Sequence, residues 1–128
     1  MEQLSIKKTS CTPKVHLDRE NGILFFSGNF NPMEGSSYYA PLIKWIKNYA
    51  RDPHTTTRVK IYVESISTSS AKFLVLLFRI LSGIQHKKKG VLLEWLYDDA
   101  DDISDWKDLL GNCNFPVKYR KTEKALAF

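Results

Sequence analysis

Polar and apolar residues alternate along residues 14–18, as they do in strands that bury one face, and the neighbouring residues 23–26 are all apolar. The two segments flank a four-residue link that ends in Asn21-Gly22. An Asn-Gly pair supplies the positive φ angles of a tight turn, so these segments predict an antiparallel hairpin. Residues 1–11 show no sustained period and are expected to form a flexible arm.

The next segment carries apolar residues at helical spacing, which are Tyr38, Leu42, Trp45, Ile46 and Tyr49. Asn31 is predicted to cap this helix and Pro32 to occupy its first turn. The helix should end before Asp52. Gly35 and Pro41 lie within its span and predict irregular opening turns.

The later part of the chain predicts alternating strands and helices. Strands are predicted at residues 58–64, 91–97 and 115–119, and helices from Ser67 or Thr68 to about Lys88 and over residues 103–110. The strand 91–97 is mostly apolar, which predicts a central strand covered on both faces. A strand, a helix and a strand in succession form a parallel crossover. The fold class is therefore α/β, a mixed sheet packed by two main helices and one short helix, in one domain over residues 12–128.

Composition limits the classes of function. An apolar share of 43% is sufficient for a packed core, and no basic stripe interleaved with aromatic residues supports nucleic acid as a partner. Cys11 and Cys113 are too far apart in the chain for a metal knuckle or a redox pair. Without a charged leader or a long apolar run, we expect a cytoplasmic protein that does not contact membranes and is monomeric when free.

The most informative segment is the start of the second long helix, where four hydroxyl residues follow one another: Ser67, Thr68, Ser69 and Ser70. Helix N-termini present free amides and a positive dipole end, and here the first turn contains Lys72 but no acidic residue. A phosphate on Thr68 would therefore be favoured, supported by the neighbouring hydroxyls and by Lys72. The alternative is that one hydroxyl caps the helix and the others are only solvated.

Other chemistry is less well supported. A run of acids could suggest a hard-metal site, but its spacing favours a solvated acidic face or a surface that docks a basic partner: Asp98, Asp99, Asp101, Asp102, Asp105 and Asp108. No nucleophile motif, phosphate loop or cofactor motif is present, so we expect neither an enzyme nor a cofactor or metal site. The second helix is apolar nearly all round, and its flank next to Thr68, with Phe73 and Leu76, is the predicted partner-binding surface.

Several of these segments together resemble the SiaC-type regulators, STAS-like proteins related in fold to anti-sigma factor antagonists. The similar segments are Thr12-Pro13, Asn21-Gly22, Tyr39-Ala40-Pro41-Leu42, Trp45, Thr68-Ser69-Ser70-Ala71-Lys72 and Glu94-Trp95-Leu96-Tyr97 with the acids that follow. The family has asparagine at the position of Ser67, and serine can cap a helix as well.

The resemblance implies a function. Thr68 would be phosphorylated by a cognate serine/threonine kinase and dephosphorylated by a phosphatase of the PP2C type. The unmodified form would bind and activate a diguanylate cyclase and so raise cyclic di-GMP. The alternative is a protein- or nucleic-acid-binding module without a phosphorylation switch.

Overall fold

A mixed sheet forms the centre of the computed structural model, which describes residues 3–98 and 104–122. Its strands are β1 (Gln3–Ile6), β2 (Lys14–Asp18), β3 (Ile23–Phe30), β4 (Thr56–Ile66), β5 (Gly90–Tyr97) and β6 (Val117–Lys121). The helices are a 3₁₀ helix (Gly35–Tyr39), α1 (Ala40–Arg51), α2 (Thr68–His86) and α3 (Ser104–Leu110). The strands lie side by side in chain order, antiparallel from β1 to β3 and parallel from β3 to β6. The predicted fold class is thus confirmed.

The predicted antiparallel hairpin is formed by β2 and β3, but its turn differs from the prediction. Of the Asn-Gly pair only Gly22 has a positive φ, 66°. A Cβ at Gly22 would lie 2.6 Å from the Thr56 carbonyl oxygen, so glycine is required there for space as well as for conformation. Asn21 instead donates its side-chain amide to Asp18 Oδ2 at 2.8 Å, and this hydrogen bond holds the pKa of Asp18 below its usual value.

The expectation of a flexible arm is wrong for Gln3–Ile6. These residues form β1, which pairs with β2 so that Leu4 lies opposite Leu17 and Ile6 opposite Val15. Both β1 side chains pack against the core. Four residues are too few to show a period by themselves, and the partners that order them come from β2.

The first long helix begins later than predicted. Asn31 and Pro32 lie outside it, and a 3₁₀ helix from Gly35 precedes α1, so the opening turns are irregular as expected. Pro41 lies in the first turn of α1, where its missing N–H costs no hydrogen bond.

Right-handed crossovers place all the helices on one face of the sheet, because the parallel strands follow one another in chain order. The core lies between this face and the helices, and its largest enclosed side chains are Trp45, Trp95, Tyr39, Tyr49, Phe26 and Phe30. Among the described residues, no helix is both long and apolar enough to cross a membrane.

No described helix packs on the opposite face of the sheet, so the prediction that strand 91–97 is covered on both faces is wrong for the first part of the strand. Leu92 is 44% exposed and Glu94 is half-buried, whereas Leu96, two residues further along the same face, is buried. A parallel strand reads as a continuous apolar run when helices cover both faces. In this chain Leu92 makes the sequence of the strand look continuously apolar, although its side chain lies on the face that no described helix covers.

Candidate functional site

The candidate site lies where β4 ends and α2 begins, at the carboxyl edge of the parallel strands. Ser67 has an extended backbone, with φ −85° and ψ 164°, and its Oγ accepts a hydrogen bond from the Ser70 amide at 3.2 Å. The Ser67 amide donates to the Phe30 carbonyl at 2.9 Å, which holds the helix start against the end of β3. Of the four consecutive hydroxyl residues, Ser67 is therefore the N-cap.

Thr68 is the first residue of α2 and is exposed. The first turn of this helix has no acidic residue, and Lys72, one turn further on, is also exposed. Free amides and the dipole make the start of a long helix favourable for negative charge, and a lysine nearby adds to the positive potential. The local electrostatics thus suit a phosphate on the Thr68 hydroxyl.

Ser70 points into the interior and belongs to a chain of hydroxyl groups. The Tyr39 hydroxyl donates to Ser70 Oγ at 2.5 Å, and Ser67 Oγ donates to the same oxygen at 2.9 Å. Burial raises the pKa of the Tyr39 hydroxyl, which stays protonated as a donor. Ser70 is fully buried and Ser69 is half-buried with its Oγ 3.3 Å from Ser67 Oγ. Ser67 and Ser70 are thus engaged in the structure of the helix start, while Thr68 is accessible.

Phe73 does not lie on a free surface, which corrects its predicted role in partner binding. Its side chain is 4% exposed, its ring stacks on Tyr39 with centroids 4.3 Å apart, and it meets the edge of Phe26 at 5.8 Å. Leu76, the other predicted contact residue, is half-buried. Only Leu76 of this pair can offer apolar surface beside Thr68.

The sequence reasoning missed two residues near this site. Tyr39 supports the helix start from the 3₁₀ helix, and Met33 is 92% exposed in the loop that follows β3. Since β3 and β4 are parallel, the loop with Met33 begins at the same end of the sheet as Ser67, where both strands have their C-terminal ends. The Tyr39-Ala40-Pro41-Leu42 motif marks the first residue, whereas an isolated exposed methionine leaves no signal in a periodic pattern.

The acidic segment is only partly described. Asp99, Asp101 and Asp102 and the side chain of Asp105 lie outside the described residues. Asp98 accepts a hydrogen bond from the Tyr62 hydroxyl, and Asp108 is exposed. Within residues 3–98 and 104–122, no group of three potential metal ligands lies close enough together to hold an ion.

We expect the Ser67→Ala substitution to lower the free energy of unfolding by about 1 kcal/mol, because the Ser70 amide loses its acceptor. The matched control is Thr68→Ala, one residue along, which should change this free energy by less than about 0.5 kcal/mol. Urea unfolding followed by tryptophan fluorescence measures both. Equal losses in the two variants would contradict the assignment of Ser67 as the cap.

The sheet order and the helices on one face define this chain as a small α/β protein with one mixed six-stranded sheet. The model of the SiaC family, regulatory phosphoproteins, matches residues 6–116. The chain therefore belongs to the SiaC family, and the resemblance noted in the sequence is confirmed. A comparison with curated proteins finds no match.

Solved structures agree with this fold. Apo-SiaC from Pseudomonas aeruginosa is 22% identical with a TM-score of 0.84, covering 94% of this chain and 99% of that chain. A second structure of SiaC from Pseudomonas aeruginosa is also 22% identical at a TM-score of 0.84, over 95% of this chain and all (100%) of that chain. A chain in the crystal structure of the diguanylate cyclase SiaD with its activator SiaC, from the same organism, is 21% identical with a TM-score of 0.85, over 93% and 99% of the two chains.

Proposed function

We propose that this chain is a phosphorylation-switched binding protein of a partner-switching pathway. In the proposed cycle a cognate serine/threonine kinase phosphorylates Thr68 and a PP2C-type phosphatase removes the phosphate. The unphosphorylated form binds and activates a diguanylate cyclase, and the phosphorylated form does not. The observation that carries this proposal is the exposed Thr68 at the start of a capped helix whose first turn has no acid.

The charge change at this position supports a switch that acts at the surface. Phosphorylation adds about two negative charges and three acceptor oxygens, which the helix amides and Lys72 can accommodate. The hydroxyl chain of Ser67, Ser70 and Tyr39 does not include Thr68, so it can stay intact. The modified protein keeps its fold and changes only what it presents to a partner.

The partner surface in this proposal surrounds Thr68. Leu76 offers apolar surface along α2, and Met33 offers an exposed apolar side chain at the same sheet edge. A phosphate on Thr68 would have to lose its hydration when an apolar partner covers this surface, which costs several kcal/mol per buried charge. That cost is the proposed reason why the phosphorylated form releases the cyclase.

In this scheme the chain carries out no reaction of its own: it is the substrate of the kinase and the activator of the cyclase. The support is its membership in a family of regulatory phosphoproteins, one relative of which is the activator in the complex with SiaD. We propose that it works as a monomer in the cytoplasm, where ATP is available to the kinase and where the two half-buried, unpaired cysteines remain reduced.

The modification is tested by incubation with the cognate kinase and ATP, followed by peptide mapping with mass spectrometry. We expect one phosphate on Thr68, no labelling of Thr68→Ala, and unchanged labelling of the control Ser69→Ala. Treatment with the PP2C-type phosphatase should remove the label. Undiminished phosphorylation of Thr68→Ala would move the switch to another residue.

A further inference from the structure

The face of the sheet opposite the helices forms an open groove of about 1260 Å³. Its floor contains apolar side chains from two strands, β3 and β5, and from the loop before β6: Ile23, Phe25, Leu92 and Pro116. Phe25 is enclosed on this face, being 9% exposed without belonging to the core cluster on the other side. Leu92 is 44% exposed in the middle of the floor. Sheets commonly pack both faces, so an uncovered apolar floor indicates a surface that another element can cover.

Basic residues surround this floor. Six lysines and arginines line the groove, namely Lys7, Lys8, Lys14, Arg58, Lys60 and Lys118, and Glu94 is the only acid among its described lining residues. Glu94 is already neutralised, by Lys60 at 3.4 Å and by Arg120 at 3.0 Å. The basic residues are scattered along the sequence, and pairing of the strands brings them to one face. The groove therefore attracts negative charge.

The groove lacks the features that single-stranded nucleic acid needs. Bases bind open sheets by stacking on exposed aromatic rings. The aromatic residues among the described lining residues are Phe25 and His16. The Lys14 ammonium lies over the Phe25 ring at 5.8 Å from the centroid, and half-buried His16 is hydrogen-bonded through Nδ1 to Ser5 Oγ at 2.9 Å. With Phe25 nearly enclosed and His16 half-buried, neither ring offers an open surface on which a base can stack. An acidic protein segment satisfies both the charge and the apolar floor.

We infer that this groove docks an acidic amphipathic helix of a partner protein. Leucine-like side chains of that helix lie on Leu92 and Ile23, and its flanking carboxylates meet Arg58 on one side and Lys118 on the other. Arg58 lies opposite Leu92 in the β4–β5 pair, and Lys118 lies opposite Glu94 in the β5–β6 pair. Both cations are exposed. This site is separate from the helix start at Thr68 and does not depend on the state of the proposed switch.

The probe is a labelled peptide of about 15 residues, stapled as a helix, with leucine at helical spacing and glutamate at the other positions. Fluorescence anisotropy with the unphosphorylated chain measures its dissociation constant. We expect binding that weakens as salt is added and becomes at least about tenfold weaker in the double variant Arg58→Glu/Lys118→Glu. The control Lys44→Glu/Lys47→Glu makes the same charge change on exposed positions of α1 and should bind nearly as wild type.

A second variant tests the floor without changing charge. Leu92→Gln should also weaken the peptide, and circular dichroism should show that all three variants are folded. Equal losses of peptide affinity in Arg58→Glu/Lys118→Glu and in the α1 control would show that only the net charge matters, and would overturn the site. So would failure of the peptide to bind, an unchanged affinity of either groove variant, or displacement of the peptide by oligouridylate at lower concentration than by its unlabelled self.

Discussion

Thr68→Asp is expected to weaken binding to the proposed partner, a diguanylate cyclase, by at least about tenfold, with a matching loss of its activation, while the fold is retained. Aspartate carries one negative charge where phosphate carries about two, so the stoichiometrically phosphorylated protein should lose more. Stability should stay the same or rise by up to about 1 kcal/mol, since an acid at the first turn of α2 complements the helix dipole. Calorimetric titration and a cyclic di-GMP production assay measure the two losses.

The control for this variant is Thr55→Asp, the same chemical change at an exposed threonine before β4, at the opposite edge of the sheet. It should bind and activate the cyclase as the wild type does. Wild-type affinity of Thr68→Asp, with phosphorylated protein also active, would remove the basis of the switch. Unfolding of Thr68→Asp would show instead that this residue supports the interior.

Local patterns were enough to predict most of the fold. Alternation over 14–18 marks the first strand of the hairpin, because one face of that strand meets the core and the other does not, and the apolar run 23–26 marks the second strand. The helix from Thr68 was predicted to within a few residues, since its cap and its apolar period are both encoded in neighbouring residues. Local chemistry also placed the start of this helix at Ser67 or Thr68, and the structure decides between the two.

Features that depend on distant partners could not be predicted. β1 is ordered by β2, and nothing within Gln3–Ile6 indicates this. Ser70 was grouped with the solvated hydroxyls because its partner, the Tyr39 hydroxyl, is 31 positions away in the chain. The basic groove is likewise assembled from separate strands. A helix that is apolar nearly all round gives no sign of which apolar residue faces the core, and this ambiguity led to the wrong assignment of Phe73.

The contrast between Phe73 and Leu76 gives the second large effect. Phe73→Ala should lower the free energy of unfolding by about 3–5 kcal/mol, because it leaves a cavity against Tyr39 and Phe26. That is a large part of the total for a domain whose stability is about 5–15 kcal/mol. Leu76→Ala, at a half-buried position, should cost about 1 kcal/mol.

Binding should show the opposite order. Urea unfolding measures the two stability losses, and titration of the folded variants with the cyclase measures binding. In the titrations, Leu76→Ala should weaken the complex by about tenfold, as loss of an interface anchor does. Phe73→Ala, studied below its unfolding temperature, should retain more affinity than Leu76→Ala, since its ring is enclosed and cannot reach a partner. A stable Phe73→Ala that no longer binds the cyclase would return Phe73 to the partner surface and require α2 to open when the complex forms.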